Sequence, residues 1–285
     1  MLHKNNQQKL ILRLKGGVGN QLFQYGFVRS LCLQFKYALI IDKKTGFIFD
    51  KYQRTPRIDD LLKAYNKATF THYVLFYFTK YFPSISYLLF KSKRMVEKST
   101  SDLLDQRSFM LFSDEKYLFI EGYFQSPEYF SSIANILKDE IQFPRYQDSV
   151  IQKYIEDVTH SESVAIHVRR VAYDDTLAIS YYEAAIEKMR TTHAGLSFFV
   201  FSDDIAWCKI AFQQIDNIHY IVHDKKDELV DLFLITRCKH FIIANSSFSW
   251  WGAYLSKANN KTVIAPKNTS IGVANHFYLD NWMLI

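Results

Sequence analysis

Cysteine is scarce in this chain: Cys32, Cys208 and Cys238 are an odd number, share no CxxC spacing, and each lies inside an apolar stretch. That excludes a disulfide framework or a cysteine-rich zinc site and points to buried free thiols in a reducing compartment, the cytoplasm. The opening MLHKNNQQKL has no apolar segment after its lysine, so no secretory signal is read. An uninterrupted apolar run of membrane-spanning length is also missing. Residues 68–90, ATFTHYVLFYFTKYFPSISYLLF, come nearest, but Lys80, Pro83 and several hydroxyls interrupt them. Core helices are expected there, with contact to an anionic membrane surface as the other reading. No internal repeat or low-complexity linker is present.

What is there is the composition of a folded globular protein: 285 residues, 48% hydrophobic and 22% charged, with 24 Phe and 19 Tyr. The formal charge of +6 is unevenly spread. Residues 1–150 hold 22 Lys+Arg against 14 Asp+Glu, net +8, whereas residues 151–285 hold 13 against 15, net −2. The basic residues form no basic-aromatic stripe, so nucleic acid is not an expected partner.

Short apolar runs alternate with helical patterns, which predicts an α/β chain in two parts, 1–145 and 146–285, parting near Phe143-Pro144-Arg145. In the first part strands are expected at Leu10–Leu14, Ala38–Asp42 and Tyr117–Glu121, with helices over 20–35 and 127–141. About 70 residues of helices and loops lie between the second and third strands. In the second part five strands, at Ser163–Arg169, Ser197–Phe201, Ile218–Val222, Phe241–Ala244 and Thr262–Ala265, alternate with helix-length segments. This predicts a parallel, doubly wound sheet. Ser180 and Glu183 read as a capping box at a helix start.

Ligands of such sheets sit beyond the carboxyl ends of the strands. The strand SVAIHVRR puts Val164, Ile166 and Val168 on one face and His167 and Arg169 on the other, with Arg170 where it runs out. Guanidinium forks match phosphate oxygens and keep their protons, so this end reads as a pyrophosphate site. The next end carries Ser202, Asp203 and Asp204: a hydrogen-bonding site for a ribose or base, a metal site, for which two adjacent acids are weak evidence, or an N-cap supplied by Ser202 or Asp203. The third, FIIANSSFSWWGAYL, runs a strand into Asn245, Ser246 and Ser247 and then a helix. Backbone N–H groups and the hydroxyls of Ser246 and Ser247, with Ser249 as a further candidate, would converge there as an anion cradle. Trp250 and Trp251 are expected to pack that helix on the sheet. In the first part the turn GGVGNQ, with Gly17 and Gly19, allows close backbone approach, but no Gly-Lys-Ser/Thr follows and Leu22 replaces a third glycine, so it is no P-loop. Asn20 and Gln21 there could hydrogen-bond a sugar.

Taken together, GGVGNQLFQYGFVRSL, EGYFQSPEYF, HVRR, FSDDIAWCK and ANSSFSWWGAYL resemble, in order, the bacterial α-1,2-fucosyltransferases. The resemblance implies two Rossmann-like domains facing across a cleft (GT-B architecture), the first on the acceptor side and the second binding the donor. It implies metal-independent, inverting transfer of fucose from GDP-fucose to O2 of a galactose-terminated oligosaccharide or lipid-linked glycan, with no cofactor. By the same resemblance His167 and Arg169 match an HxR signature whose arginine contacts the β-phosphate. Asn20 matches the asparagine of the glycine-rich loop, and Asn245, Ser246, Ser247 and Phe248 match the serine-rich donor loop. Where the family continues HxRR with Gly-Asp-Tyr, this chain reads Val171-Ala172-Tyr173; Asp174 and Asp175 are the substitute acidic candidates for the catalytic carboxylate.

Overall fold

The computed structural model describes residues 7–97, 114–171, 176–224, 227–267 and 276–285. The chain divides into two compact units, Met1–Gln142 and Phe143–Ile285. Each is built on one parallel sheet.

The first unit runs β1 (Lys9–Arg13), α1 (Val18–Phe35), β2 (Ala38–Asp42), α2 (Ile58–Leu61), β3 (Asn66–Lys67), α3 (Phe70–Tyr81), α4 (Pro83–Phe90), β4 (Ser92–Val96), β5 (Tyr117–Glu121) and α5 (Ala134–Glu140). Its strands lie in the order β3-β2-β1-β5-β4, all parallel. Buried Leu10, Ile11 and Leu12 make β1 the centre of the sheet. Helix α1 is buried on nearly every side because it packs both on the sheet and on the segment leading to α5. A Cβ on Gly26 would come within 2.8 Å of the Phe130 ring, so only glycine lets the two approach. Arg29 clamps the same pair of helices through Glu140, Nη2 to Oε1 at 2.6 Å.

The helix expected over 127–141 is broken. Two 3-10 turns, Pro127–Tyr129 and Ser131–Ile133, precede α5. Phe130 leaves helical geometry at φ −134° and is fully buried against Phe23, with ring centroids 5.9 Å apart. Core packing has overridden helix continuity. Strand β4 was not expected: SKRMV has no apolar run, because it is an edge strand whose Lys93 faces solvent and pairs with Glu115. The 68–90 segment forms two short helices joined at Pro83, and α3 opens with Thr69 N–H donating to His72 Nδ1. Among the described residues no helix is long and apolar enough to cross a membrane.

The second unit runs α6 (Ser149–His160), β6 (Glu162–Val168), α7 (Ile179–Thr192), β7 (Leu196–Ser202), α8 (Ile205–Ala211), β8 (Ile218–Tyr220), α9 (Glu228–Arg237), β9 (His240–Ile242), α10 (Ser247–Leu255), β10 (Val263–Ala265) and β11 (Met283–Leu284). The strand order is β11-β10-β9-β6-β7-β8, parallel throughout. Counted from β6, this is the doubly wound 3-2-1-4-5-6 order, with its switch point between β6 and β9. A sixth strand, β11, adds to the five expected; two residues carry too little pattern to be read.

Alternation along β6 came out as predicted: Val164, Ile166 and Val168 enter the core with Tyr182, Ile186 and Met189 of α7. The capping box did not. Helix α7 starts at Ile179 behind an extended Ala178 that makes no side-chain cap, which leaves Ser180 inside the first turn. The start is set instead by Tyr181, whose Oη donates to Ile243 O at 2.7 Å, and by buried Tyr182. Trp250 and Trp251 are fully buried, as expected, and all three cysteines are free and buried.

Candidate active site

Site geometry in the second unit follows from strand register. His167 lies opposite Phe201 and Val168 opposite Ser202, so one more residue along both strands brings Arg169 beside Asp203. There Arg169 Nη1 pairs with Asp203 Oδ2 at 3.0 Å. The same carboxylate accepts from the backbone N–H of Arg170, at 2.9 Å, and of Val171, at 3.2 Å. Asp203 therefore shapes the turn after β6 and orients the arginine. It is not the N-cap of α8. Asp204 is, accepting from Trp207 N–H at 3.0 Å, while Ser202 Oγ accepts from Asp204 N–H. An expected cap at Ser202 or Asp203 is thus displaced by one residue, because the Asp203 carboxylate is already engaged across the sheet.

Arg170 turns back onto α8, with its guanidinium 3.9 Å from the Trp207 ring centroid and Nε 3.9 Å from Asp204 Oδ2. Arg169 is left half-exposed. Among the described residues its guanidinium has only the one carboxylate partner, so most of its fork is available to a ligand.

Across the switch point β9 ends at Ile242, and the chain turns into α10 through Asn245 and Ser246. Ser246 is the N-cap, its Oγ accepting from Phe248 N–H at 3.3 Å. Ser247 opens the helix. Ser249 does not join the expected cradle: it is fully buried, and its hydroxyl donates back to the carbonyls of Ala244 and Ser246. Phe248 lays its ring 5.3 Å from His167, which joins the two sides of the switch point.

His167 is the most telling residue. It is buried, among the described residues its Nδ1 has no hydrogen-bond partner, and burial together with the Arg169 charge pushes its pKa down to about 3. The imidazole is neutral throughout the physiological range. An unsatisfied buried nitrogen costs roughly 1–3 kcal/mol and is expected where a ligand will complete it. A pH dependence follows. The unfolded histidine protonates near 6.5 and the folded one near 3, so unfolding takes up a proton below about 6.5 and stability declines as pH falls through that window. At about pH 5 this amounts to about 2 kcal/mol. Urea midpoints of wild type and His167→Asn should therefore diverge between neutral and acid pH, with wild type losing more.

In the first unit the carboxyl edge is a second polar cluster. Gly16 is left-handed at φ +78°, and a Cβ on Gly17 would meet nothing, so the backbone before α1 stands open. Asn20 Oδ1 accepts from Gln125 Nε2 at 2.7 Å, bridging the loops after β1 and β5. Gln21, expected with Asn20 to face a sugar, is fully buried. Its amide donates to Gly16 O and Thr55 O and accepts from Arg57 N–H, so it ties loops together. Gly19 is likewise buried. Arg13 and Arg94 share the Glu121 carboxylate. Glu97, which no pattern singled out because β4 was unread, accepts from Tyr123 and Phe124 N–H. Burial raises its pKa, and Lys15 nearby opposes the rise.

Asp174, Asp175 and Ala172 lie outside the described residues. Among those described, one group has metal-ligand geometry: Glu162, His193 and His240, within 4.8 Å of one another. It sits at the amino ends of the strands. His240 Nε2 bonds Glu162 at 2.9 Å, Lys239 Nζ pairs with the same carboxylate, and His193 Nε2 bonds Thr262. These contacts close the far edge of the sheet.

A switch-point site with a fixed arginine, a neutral histidine and a serine-capped helix start suits a diphosphate-linked ligand, and the whole chain answers to one family. Residues 3–285 match the description Glycosyl transferase family 11. The chain belongs to that family and is a glycosyltransferase. It is 30% identical to the alpha-1,2-colitosyltransferase of Escherichia coli, over 90% of this chain and 91% of that protein. It is 27% identical to the Escherichia coli O-antigen biosynthesis glycosyltransferase WbnK, over 95% and 98%. A galactoside 2-alpha-L-fucosyltransferase of Caenorhabditis elegans is 30% identical over 52% of this chain and 46% of its own. In fold the chain is similar to FUT1 of Arabidopsis thaliana in complex with GDP, at a TM-score of 0.56 and 11% identity, covering 90% of this chain and 70% of that one. This family 11 glycosyltransferase thus carries polar groups at the carboxyl edges of two parallel sheets, those of the second at the switch point between β6 and β9.

Proposed function

We propose that the protein transfers L-fucose from GDP-fucose to O2 of a terminal galactose with inversion, forming an α-1,2 linkage, and that it does so without a metal. The observation that carries this reading is the buried, unsatisfied His167 beside the Asp203-held Arg169 at the switch point of the second sheet. Family membership and the fucosyltransferase and colitosyltransferase among its relatives support the sugar and the linkage. The second unit, near 146–285, binds the donor, and the first, near 1–145, is the acceptor side.

In this mechanism the acceptor hydroxyl attacks the anomeric carbon from the face opposite the diphosphate, through an oxocarbenium-like transition state. The leaving group departs as an anion and needs charge stabilisation more than a proton. Arg169 supplies it as a donor already oriented by Asp203, and the N–H groups of α10 behind Ser246 and Ser247 add to it. Neutral His167, packed under Phe248, gives or accepts one hydrogen bond without adding charge. Asp174 or Asp175 accepts the acceptor proton. In the first unit, open Gly17 and Asn20 offer hydrogen-bonding groups to a sugar hydroxyl, and buried Gly19 holds the turn between them.

A second reading changes only the donor sugar. The colitosyltransferase covers 90% of this chain at 30% identity, and diphosphate contacts do not distinguish one hexose from another. One experiment separates the two: incubation with GDP-fucose or GDP-colitose and a panel of galactosides, with the product linkage read by NMR. A fucosyl product joined at O2 is expected, formed equally well in EDTA. A colitosyl product alone overturns the fucose reading, and activity lost in EDTA and restored by Mn²⁺ overturns the metal-free mechanism.

A further inference from the structure

We propose that the α3–α4 hairpin docks the protein onto an anionic phospholipid bilayer. This inference concerns a surface rather than the reacting groups and stands whichever donor is used. It begins with which residues the hairpin buries. Phe76 and Thr79 face inward from α3 and Ser86 from α4. Phe76 packs edge-on to Phe119 of β5, with ring centroids 5.6 Å apart, and the hydroxyls of Thr79, Ser86 and Ser92 form a closed buried triangle with sides of 2.5–2.9 Å. The hairpin is thus held on the sheet by Phe76, with partly buried Leu75 and Tyr77 beside it, and by three hydroxyls, and most of its other apolar side chains take no part in the core.

They point to water instead. Phe70 is 77% exposed and Leu88 74%, and Val74, Ile85, Leu89 and Phe90 are exposed with them. Positions 70 and 74 are one helical turn apart on α3, as are 85 and 88/89 on α4, so each helix shows a continuous outward apolar stripe. Single exposed apolar residues need no explanation, but so many on one 21-residue hairpin mark an interaction surface.

Charge selects the occupant. From Leu61 to Val96 the chain has no acidic residue and six basic ones: Lys63, Lys67, Lys80, Lys91, Lys93 and Arg94. Lys80 and Lys91, which flank the apolar stripe, lie over tyrosine rings, and among the described residues neither has a carboxylate partner. An apolar stripe bordered by unneutralised lysines suits the boundary between acyl chains and anionic headgroups. Spanning is ruled out by length: the twelve residues of α3 rise about 18 Å against a hydrocarbon core of about 30 Å.

The test is co-sedimentation of the full chain with sucrose-loaded vesicles of phosphatidylcholine alone or of phosphatidylcholine and phosphatidylglycerol in equal parts. Wild type should pellet with the anionic vesicles at low salt, at least about tenfold more than with the neutral ones, and should be released as salt rises. Lys80→Gln and Lys91→Gln, each removing one positive charge, should each weaken partitioning about fivefold. The double variant Leu88→Asp/Leu89→Asp should lose it while its circular dichroism and melting temperature stay unchanged. Absence of pelleting at low salt overturns the proposal, as does pelleting that these variants leave intact. A wild-type dimer in sedimentation velocity that the double aspartate variant dissociates also overturns it, because the stripe would then cover a second copy of the chain.

Discussion

Arg169→Ala should lower kcat by at least about 10²–10³ while leaving the protein folded. The size follows from where the arginine stands. It is fixed beside Asp203 by the β6–β7 register, it keeps most of its donors free, and it is the half-exposed guanidinium nearest the switch point. A preorganised donor aimed at developing charge is worth about 2.7–4 kcal/mol in the transition state. The fold should not suffer, because this is a partly exposed ion pair at the end of a strand whose core face is carried by Val164, Ile166 and Val168. Arg169→Lys should rescue little, since an ammonium offers a point charge where a fork is needed. Asp203→Asn gives the companion result. The amide oxygen can still accept one backbone N–H, but the charge holding Arg169 is gone, so kcat should fall less than in Arg169→Ala. Product-release-independent single turnovers, with circular dichroism as the control for folding, check all three variants. Near-normal turnover in Arg169→Ala would remove the arginine from the mechanism.

Sequence pattern reached the frame of this molecule because its central strands are apolar runs. KLILR, ALIID, YLFIE and ESVAIHV need no neighbour to be recognised, and their βα alternation implies parallel sheets. Three of the four edge strands, β3, β4 and β11, escaped: SKRMV is half solvent-facing, so its composition is that of a loop. The helix over 127–141 was misread for the opposite reason, since Phe130 breaks it to fill the space that Gly26 leaves, and that space is set by residues a hundred positions away.

At the site, residue types were legible and partners were not. His167, Arg169 and the Asn245–Phe248 turn stand at strand ends that pattern alone can locate. That Asp203 serves Arg169, that Asp204 takes over the cap, and that Gln21 and Ser249 turn inward all depend on register and on which backbone groups lack a partner. Glu97 left no trace in the sequence because its strand left none. The charge asymmetry gained a location: part of the first unit's excess lies along the acid-free stretch 61–96, whereas the second unit, net negative, holds Arg169 oriented by Asp203.

Trp250→Ala should be the most damaging single change to the fold and, through it, to the donor site. Trp250 is fully buried, stacks on Tyr254 at 4.7 Å, touches Trp251, Phe277 and Trp282, and donates Nε1–H to Phe277 O at 2.7 Å. Truncating a buried tryptophan costs about 3–5 kcal/mol. The abandoned carbonyl of Phe277 adds roughly 1 kcal/mol or more where water cannot reach it. Against a total stability of about 5–15 kcal/mol, that places the variant near the edge of folding. Trp250→Phe separates the two contributions, because it keeps most of the ring packing and loses the hydrogen bond; it should recover more than half of the loss. Location makes the effect functional. Trp250 lies one turn beyond the Ser246 cap, so loosening α10 at this point disorders the helix start proposed to face the diphosphate. At a temperature where Trp250→Ala is still folded, calorimetry should show weaker GDP binding than in wild type. Unchanged affinity would mean that α10 is held by the sheet without its tryptophan and that the anion site is less dependent on core packing than its position on the helix implies.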